Sequence, residues 1–173
     1  MSSSLKTLED ALVHELQDIL YAEQQVMKAL PKMAKKASNH ELRQAFEEHL
    51  KQTEKQTERI KKAFDSIGHS CRSEKCEGMM GIIKEGQAVM GKDAEPEVMD
   101  AELIAAAQKV KHYEIASYGT ACEWAQQLGF EEAHHLLGQN LAEEKSADQK
   151  LSTIARKYVN AQAGEEFEEE DVE

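Results

Sequence analysis

Three glutamates in this chain stand at positions where a helix would ordinarily place an apolar residue. In 101–128, Leu103, Ala107, Val110, Ser117, Ala121, Trp124 and Leu128 recur at alternating steps of three and four, and Glu114 fills the middle step. That period marks the face of an amphipathic helix packed against other helices. Glu23 fills the missing step of the run Leu12, Leu16, Ile19, Val26, Leu30. Glu144 stands in the run Leu137, Leu141, Asp148, Leu151, Ala155, Tyr158. A carboxylate on a buried face must be paired, protonated or bound to a metal, because an isolated buried charge is too costly. Clustered carboxylates repel one another, so without a cation some of them must hold protons. A metal pair would remove that conflict, and hard oxygen ligands suit iron or manganese.

Counting along the chain brings the carboxylates to one height. Glu114 lies fifteen residues before Gly129, and Glu144 fifteen after it, so in an antiparallel hairpin they meet. Glu23 lies fifteen residues before Ser38, and the position fifteen after is Thr53. The two hairpins read as a duplicated unit whose packing gathers Glu23, Glu114, Glu144 and Asp148 into one layer. Di-iron bundles take a Glu from each of two helices and a Glu-x-x-His pair from each of the others. Here the match is partial: Thr53 and Gln56 stand in one such pair of places, and Ala147 stands in the His place after Glu144. His49, one turn before Thr53, and the flanking Gln52 and Glu54 are the substitute donors on that helix. Two readings stay open: a dinuclear iron or manganese site built on Glu23, Glu114, Glu144, Asp148, His49 and Glu54, or a metal-free buried polar network. If the site is catalytic, the chemistry is oxidation by oxygen or peroxide at the metal, with no separate acid–base residue evident. His112, His134 and His135 fall off the packed faces and read as solvated or capping residues. Tyr113 and Tyr118 are close enough in sequence to hydrogen-bond Glu114 in either reading. The chain has no glycine-rich phosphate loop and no nucleophile motif.

The elements that must position these residues are helices. With 173 residues the chain is long enough for one domain with a real core. Two prolines, few aromatics and abundant Ala, Glu, Lys, Gln and Leu point to an all-α protein. The spacing predicts a first helix starting near Leu5 with a Ser cap, kinked or ended by Pro31. A turn follows at Ser38-Asn39, and a second helix carries Leu42, Phe46, Leu50, Ile60, Phe64 and Ile67 as far as Gly68. The segment 69–99 holds four of the nine glycines and a short apolar helix at Cys76–Met90, in which Met79, Met80 and Met90 fill gaps. A connection of that length fits the one long crossover of a ferritin-type bundle. The expected architecture is a ferritin-like four-helix bundle with a short fifth helix on the crossover, spanning 1–160, followed by an acidic disordered tail, 161–173.

The formal net charge of −12 argues against a nucleic-acid partner bound through its phosphates. Glu165–Glu173 carries seven acids and no base, the composition of a solvated end dispensable for folding. No apolar run is long enough to span a bilayer and no apolar signal region opens the chain, so the expectation is a cytoplasmic protein without a membrane partner. Three cysteines make no disulfide framework, and Cys71 and Cys76 read as reduced thiols, with a redox-labile pair as the lesser alternative.

The segments YAEQQVMKALPKMAKKAS (Tyr21–Ser38), DAELIAAAQKVKHYEIASYGT (Asp100–Thr120) and LAEEKSADQKL (Leu141–Leu151) resemble the YciE/YciF-type ferritin-like stress proteins of bacteria, the YciF branch above all. HYEIASYGT is the specific piece. The resemblance covers nearly the whole chain outside the acidic tail. It implies a ferritin-like bundle with a fifth helix, commonly a homodimer, linked to stress responses and assigned a dinuclear metal site. A metal-free dimeric bundle with a structural or interaction role is the alternative.

Overall fold

The computed structural model describes residues 4–165. Four long helices form the bundle: α1 (Leu8–Lys36) and α2 (His40–Ser66) make one antiparallel hairpin, and α4 (Pro96–Gln127) and α5 (Glu131–Ile154) make the other. A shorter helix, α3 (Glu77–Met90), lies on the crossover against α1 and α4. Around the bundle α1 neighbours α2, α2 neighbours α5, α5 neighbours α4, and α4 neighbours α1. This is the expected four-helix bundle with its crossover helix. After α5 the chain makes one π-helical turn, Ala155–Val159, and a last helical turn, α6 (Asn160–Ala163), which enters the stretch expected as tail. The rest of that tail, beyond Glu165, lies outside the described residues.

Local chemistry sets the helix ends. α1 starts at a capping box rather than at a serine near Leu5: Thr7 Oγ1 accepts from the Asp10 amide at 3.0 Å, and Asp10 Oδ2 accepts from the Thr7 amide at 2.9 Å. Pro31 neither ends nor breaks α1, which runs five residues beyond it to Lys36. Its ring sits on the exposed side, and the buried Leu30, Met33 and Ala34 hold the helix together across the missing backbone bond. Asn39 caps α2 by accepting from the Leu42 amide at 3.0 Å. Gly68 (φ +73) and Gly129 (φ +75) take the left-handed conformation that stops α2 and α4. The carboxylate of Asp100 on α4 clamps the α1–α2 turn by accepting from the amides of Ser38 and Asn39, both at 2.8 Å.

The core falls into two apolar clusters. At one end Leu12, Leu16, Ile60, Phe64, Ala121 and Leu137 pack together; at the other Val26, Leu30, Phe46, Leu103, Ala107 and Leu151 do so. Between them, at mid-height, lies a buried polar layer. It contains Glu23 from α1, His49, Thr53, Gln56 and Thr57 from α2, Lys111, Glu114 and Ser117 from α4, and Asn140 and Glu144 from α5. The crossover is fastened by Tyr113, whose hydroxyl lies 2.8 Å from Cys76 Sγ at the start of α3. Gly78 permits that approach, since a Cβ there would stand 2.9 Å from the tyrosine ring. The three cysteines are free thiols: Cys71 exposed, Cys76 and Cys122 buried.

Candidate functional site

Each helix delivers its polar residues to the layer through the period that buries its apolar ones. Glu23 is inward because Ile19 and Val26 are, and Glu114 because Val110 and Ser117 are. On α5 the inward positions are Ala133, Leu137, Asn140, Glu144, Leu151 and Ile154. The expected run shared Leu137, Glu144 and Leu151 with this one but took its intermediate positions one residue too late. Ala147 and Asp148 are both half-buried, and it is Ala147 that lines the cavity beside His49. Asp148 instead spans the α4–α5 shoulder, where Oδ1 accepts from Gln108 Nε2 at 3.2 Å and Oδ2 pairs with His112 Nε2 at 3.1 Å. Glu54 is exposed on the outer face of α2. Past Ile154 the π-helical turn shifts the register again, burying Val159 and leaving Tyr158 exposed. Of the six expected donors the structure thus brings His49, Glu114 and Glu144 together, keeps Glu23 in the same buried layer, and sets Asp148 and Glu54 apart. His134 and His135 lie outside the layer: His134 Nδ1 bonds the Cys122 carbonyl at 3.0 Å, and the exposed His135 meets Gln139 at 3.1 Å.

The residue that sequence reasoning missed is Lys111. Its ammonium sits inside the layer, 2 % exposed, and donates to Glu114 Oε2 at 2.7 Å and to Glu144 Oε2 at 2.7 Å. Its third contact is His49 Nε2. An ammonium has three N–H groups, and here all three have acceptors. His49 completes the arrangement as a neutral imidazole. Burial, reinforced by the Lys111 charge, pushes its pKa down to about 4. With Nε2 accepting from Lys111, Nδ1 carries the proton and points at Gln52 Oε1, 3.3 Å away. Among the described residues, His49, Glu114 and Glu144 each offer a donor atom within 4.8 Å of the others, a geometry able to hold a cation.

The charges settle by proton exchange as well as by pairing. Burial, then repulsion from Glu144, raises Glu23 to about 8. The same two causes hold Glu114 well above its ordinary value. Burial also works against the Glu144 charge, but the attraction of Lys111, its hydrogen bond and the carboxylate's other close neighbours together outweigh it and bring the carboxyl down to about 2. Lys111 follows the same logic: burial opposes its charge, and Glu114 and Glu144 more than restore it. The charge of the layer therefore concentrates on Glu144 and Lys111, while burial and repulsion favour the protonated form of Glu23 and Glu114. Among the described residues, four buried oxygens have no hydrogen-bond donor: Glu23 Oε2, Gln56 Oε1, Glu114 Oε1 and Glu144 Oε1. All four are acceptors, and the protons on Glu23 and Glu114 are the donors that such a set calls for.

A polar chain links the layer to the surface. Tyr118 donates its hydroxyl proton to Glu23 Oε1 and accepts from Asn140 Nδ2 at 3.2 Å. Asn140 Oδ1 accepts from Arg59 at 2.9 Å, and the same guanidinium pairs with Glu143 at 2.9 Å. On the other side a cavity of about 220 Å³ opens between α2 and α5, with His49 and Lys111 at its floor and Glu48 and Lys150 among its outer lining.

The chain as a whole is similar to known proteins. A family model described as "Domain of unknown function (DUF892)" matches residues 7–164. Protein YciF of Escherichia coli strain K12 is 46% identical over 161 residues, covering 92% of this chain and 97% of that protein. The crystal structure of the E. coli stress protein YciF superposes with a TM-score of 0.87 at 46% identity, covering 90% of this chain and 99% of that one. A chain called YcfI from Rhodopseudomonas palustris, put forward as a structural protein, does so with a TM-score of 0.87 at 45% identity over the same shares, 90% and 99%.

Proposed function

The chain belongs to the family described as Domain of unknown function (DUF892), and from that premise we propose that it serves in a stress response as a structural or interaction bundle. In this reading no catalytic metal stands at its centre. The stress role comes from the description of the E. coli relative, and the structural role agrees with that put forward for the R. palustris one. The single observation that carries the non-catalytic reading is the position of the Lys111 ammonium, 2.7 Å from both Glu114 and Glu144.

A dinuclear iron or manganese centre does not suit this donor set. Thr53 and Gln56 on α2, and Ala147 on α5, occupy three of the four places where such a bundle carries its Glu-x-x-His donors. A metal ion bound about 2.0–2.3 Å from the same carboxylate oxygens would overlap the ammonium. A second reading keeps one ion, iron or manganese, on His49, Glu114 and Glu144, and is favoured by the convergence of those three donors. It requires Lys111 to withdraw.

A homodimer in the cytoplasm completes the proposal. α3 supports the assembly, because Met79 is its only buried residue and Ile82, Ile83, Val89 and Met90 stay half-covered on the crossover. No helix among the described residues is long and apolar enough to cross a membrane. The test is metal analysis of protein purified without chelator from cells supplied with iron and manganese, together with its melting curve. The expected result is metal far below one ion per chain and a melting temperature indifferent to chelator. A stoichiometric metal content would overturn the reading.

A further inference from the structure

We propose that Lys111 is a built-in cation that occludes a latent one-ion metal site formed by His49, Glu114 and Glu144, and that removing its ammonium opens this site to a divalent metal. The inference deepens the metal-free reading and rests on it.

Three observations carry it. First, the ammonium contacts one atom of each member of the triad: Glu114 Oε2, Glu144 Oε2 and His49 Nε2. The lone pairs a metal would take are the ones the lysine already holds. Second, the lysine is carried on the same helix as one of its partners, three residues before Glu114. Its head is delivered when α4 folds and packs, so it competes at an effective concentration far above that of a free ion. A metal has to break three charge-assisted hydrogen bonds to enter. Third, the remaining oxygens of both carboxylates, Glu114 Oε1 and Glu144 Oε1, are buried and without a donor. Once the lysine is gone, the site offers the Glu144 carboxylate, the Glu114 carboxyl, which releases its proton to solvent as a metal binds, and a neutral imidazole, a set suited to divalent first-row ions. The way in exists already, because the cavity between α2 and α5 has Lys111 and His49 at its floor.

The occlusion also explains why the α2 departures are tolerated. A layer that uses an ammonium as its cation needs three acceptors around one point. It does not need the second pair of donors that a dinuclear centre requires.

The experiment titrates Co²⁺, whose visible absorption reports its ligands, into wild type, Lys111→Ala, Lys111→Gln and Lys111→Arg. Wild type and Lys111→Arg should show no new absorption and no change in melting temperature. Lys111→Ala should melt lower than wild type, bind about one Co²⁺ per chain at least about a hundredfold more tightly than wild type, and melt higher as metal is added. Lys111→Gln disturbs the packing less and should gain a weaker version of the same behaviour, so the claim can be read even if the alanine variant fails to fold. Folded Ala and Gln variants that both bind no Co²⁺ would overturn this inference and leave the metal-free reading intact. Wild type binding Co²⁺ as tightly as the variants would overturn both.

Discussion

The two hairpins solve the same packing problem with different chemistry. Glu23 on α1 corresponds to Glu114 on α4, and Thr53 on α2 to Glu144 on α5. On the α1–α2 side the two threonines are self-contained: Thr53 Oγ1 donates to the His49 carbonyl at 3.0 Å, and Thr57 Oγ1 to the Thr53 carbonyl at 2.9 Å. Each hydroxyl is satisfied by its own helix, while Glu23, His49 and Gln56 on this side reach across, to Tyr118, Lys111 and Glu143. On the α4–α5 side Lys111, Glu114 and Glu144 satisfy one another across two helices and reach His49 on a third. The charge of the layer therefore sits on one hairpin and is held by one cation. Removing a member of such a set leaves its partners buried and uncompensated.

That asymmetry can be broken at graded points. Lys111→Met keeps the stem and deletes the charge, stranding the Glu144 carboxylate. A loss of about 3–5 kcal/mol in denaturant unfolding is expected for breaking a buried pair of this kind. A loss under 1 kcal/mol would mean that Lys111 turns to solvent.

Glu23→Gln should act in the opposite direction. The folded carboxyl titrates at about 8 against an ordinary 4.5, so folding takes up a proton between those values. Glu23 accordingly contributes its full stability below 4.5, and stability falls as pH rises toward 8. The amide keeps an acceptor for Tyr118 and carries no such penalty. The variant should be more stable than wild type by an amount on the order of 2 kcal/mol at pH 7, with a flatter stability profile between those two pH values. An unchanged profile would place the titrating group elsewhere.

Thr53→Val tests the quiet side. Its hydroxyl bonds a carbonyl of its own helix, so a change within about 1 kcal/mol is expected. A loss comparable to that of Lys111→Met would end the distinction between the hairpins. Smallest of all should be deletion of 166–173, for which the acidic composition gives no apolar face to pack and no change in melting temperature is expected.

The parts of this molecule legible in the sequence are those written in its period. Leu12, Leu16, Ile19, Glu23, Val26 and Leu30 are all buried, and so are Leu103, Ala107, Val110, Glu114, Ser117 and Ala121. A helix face depends only on local spacing, and the shared height of Glu114 and Glu144 follows from the turn between them. Asp148 shows where the period loses resolution. Two alternations of three and four pass through Leu137, Glu144 and Leu151, and only packing against α2 and α4 chooses the one that buries Asn140 and leaves Asp148 to Gln108 and His112. The π-helical turn at Ala155–Val159 left no mark in the pattern. Pro31 shows that one lost backbone bond does not outweigh the tertiary packing of a long helix.

Lys111 was illegible for a different reason. It lies four residues after Ala107 and three before Glu114, which is geometry enough to place it beside the face. A lysine at the edge of an apolar stripe ordinarily turns its head to water. What draws it inward is His49, 62 residues away, and Glu144, 33 away. The need for a cation could be read from three clustered glutamates; its identity required the neighbours that only the folded chain supplies.

The central claim, that the Lys111 ammonium is the cation of the layer, is most directly tested by a double-mutant cycle between Lys111→Met and Glu144→Gln, read by denaturant unfolding. If the pair is coupled as the geometry requires, each single change strands a partner, and the double variant recovers much of the loss. The coupling energy should then be at least about 2 kcal/mol. Losses that simply add, within about 0.5 kcal/mol, would contradict the account.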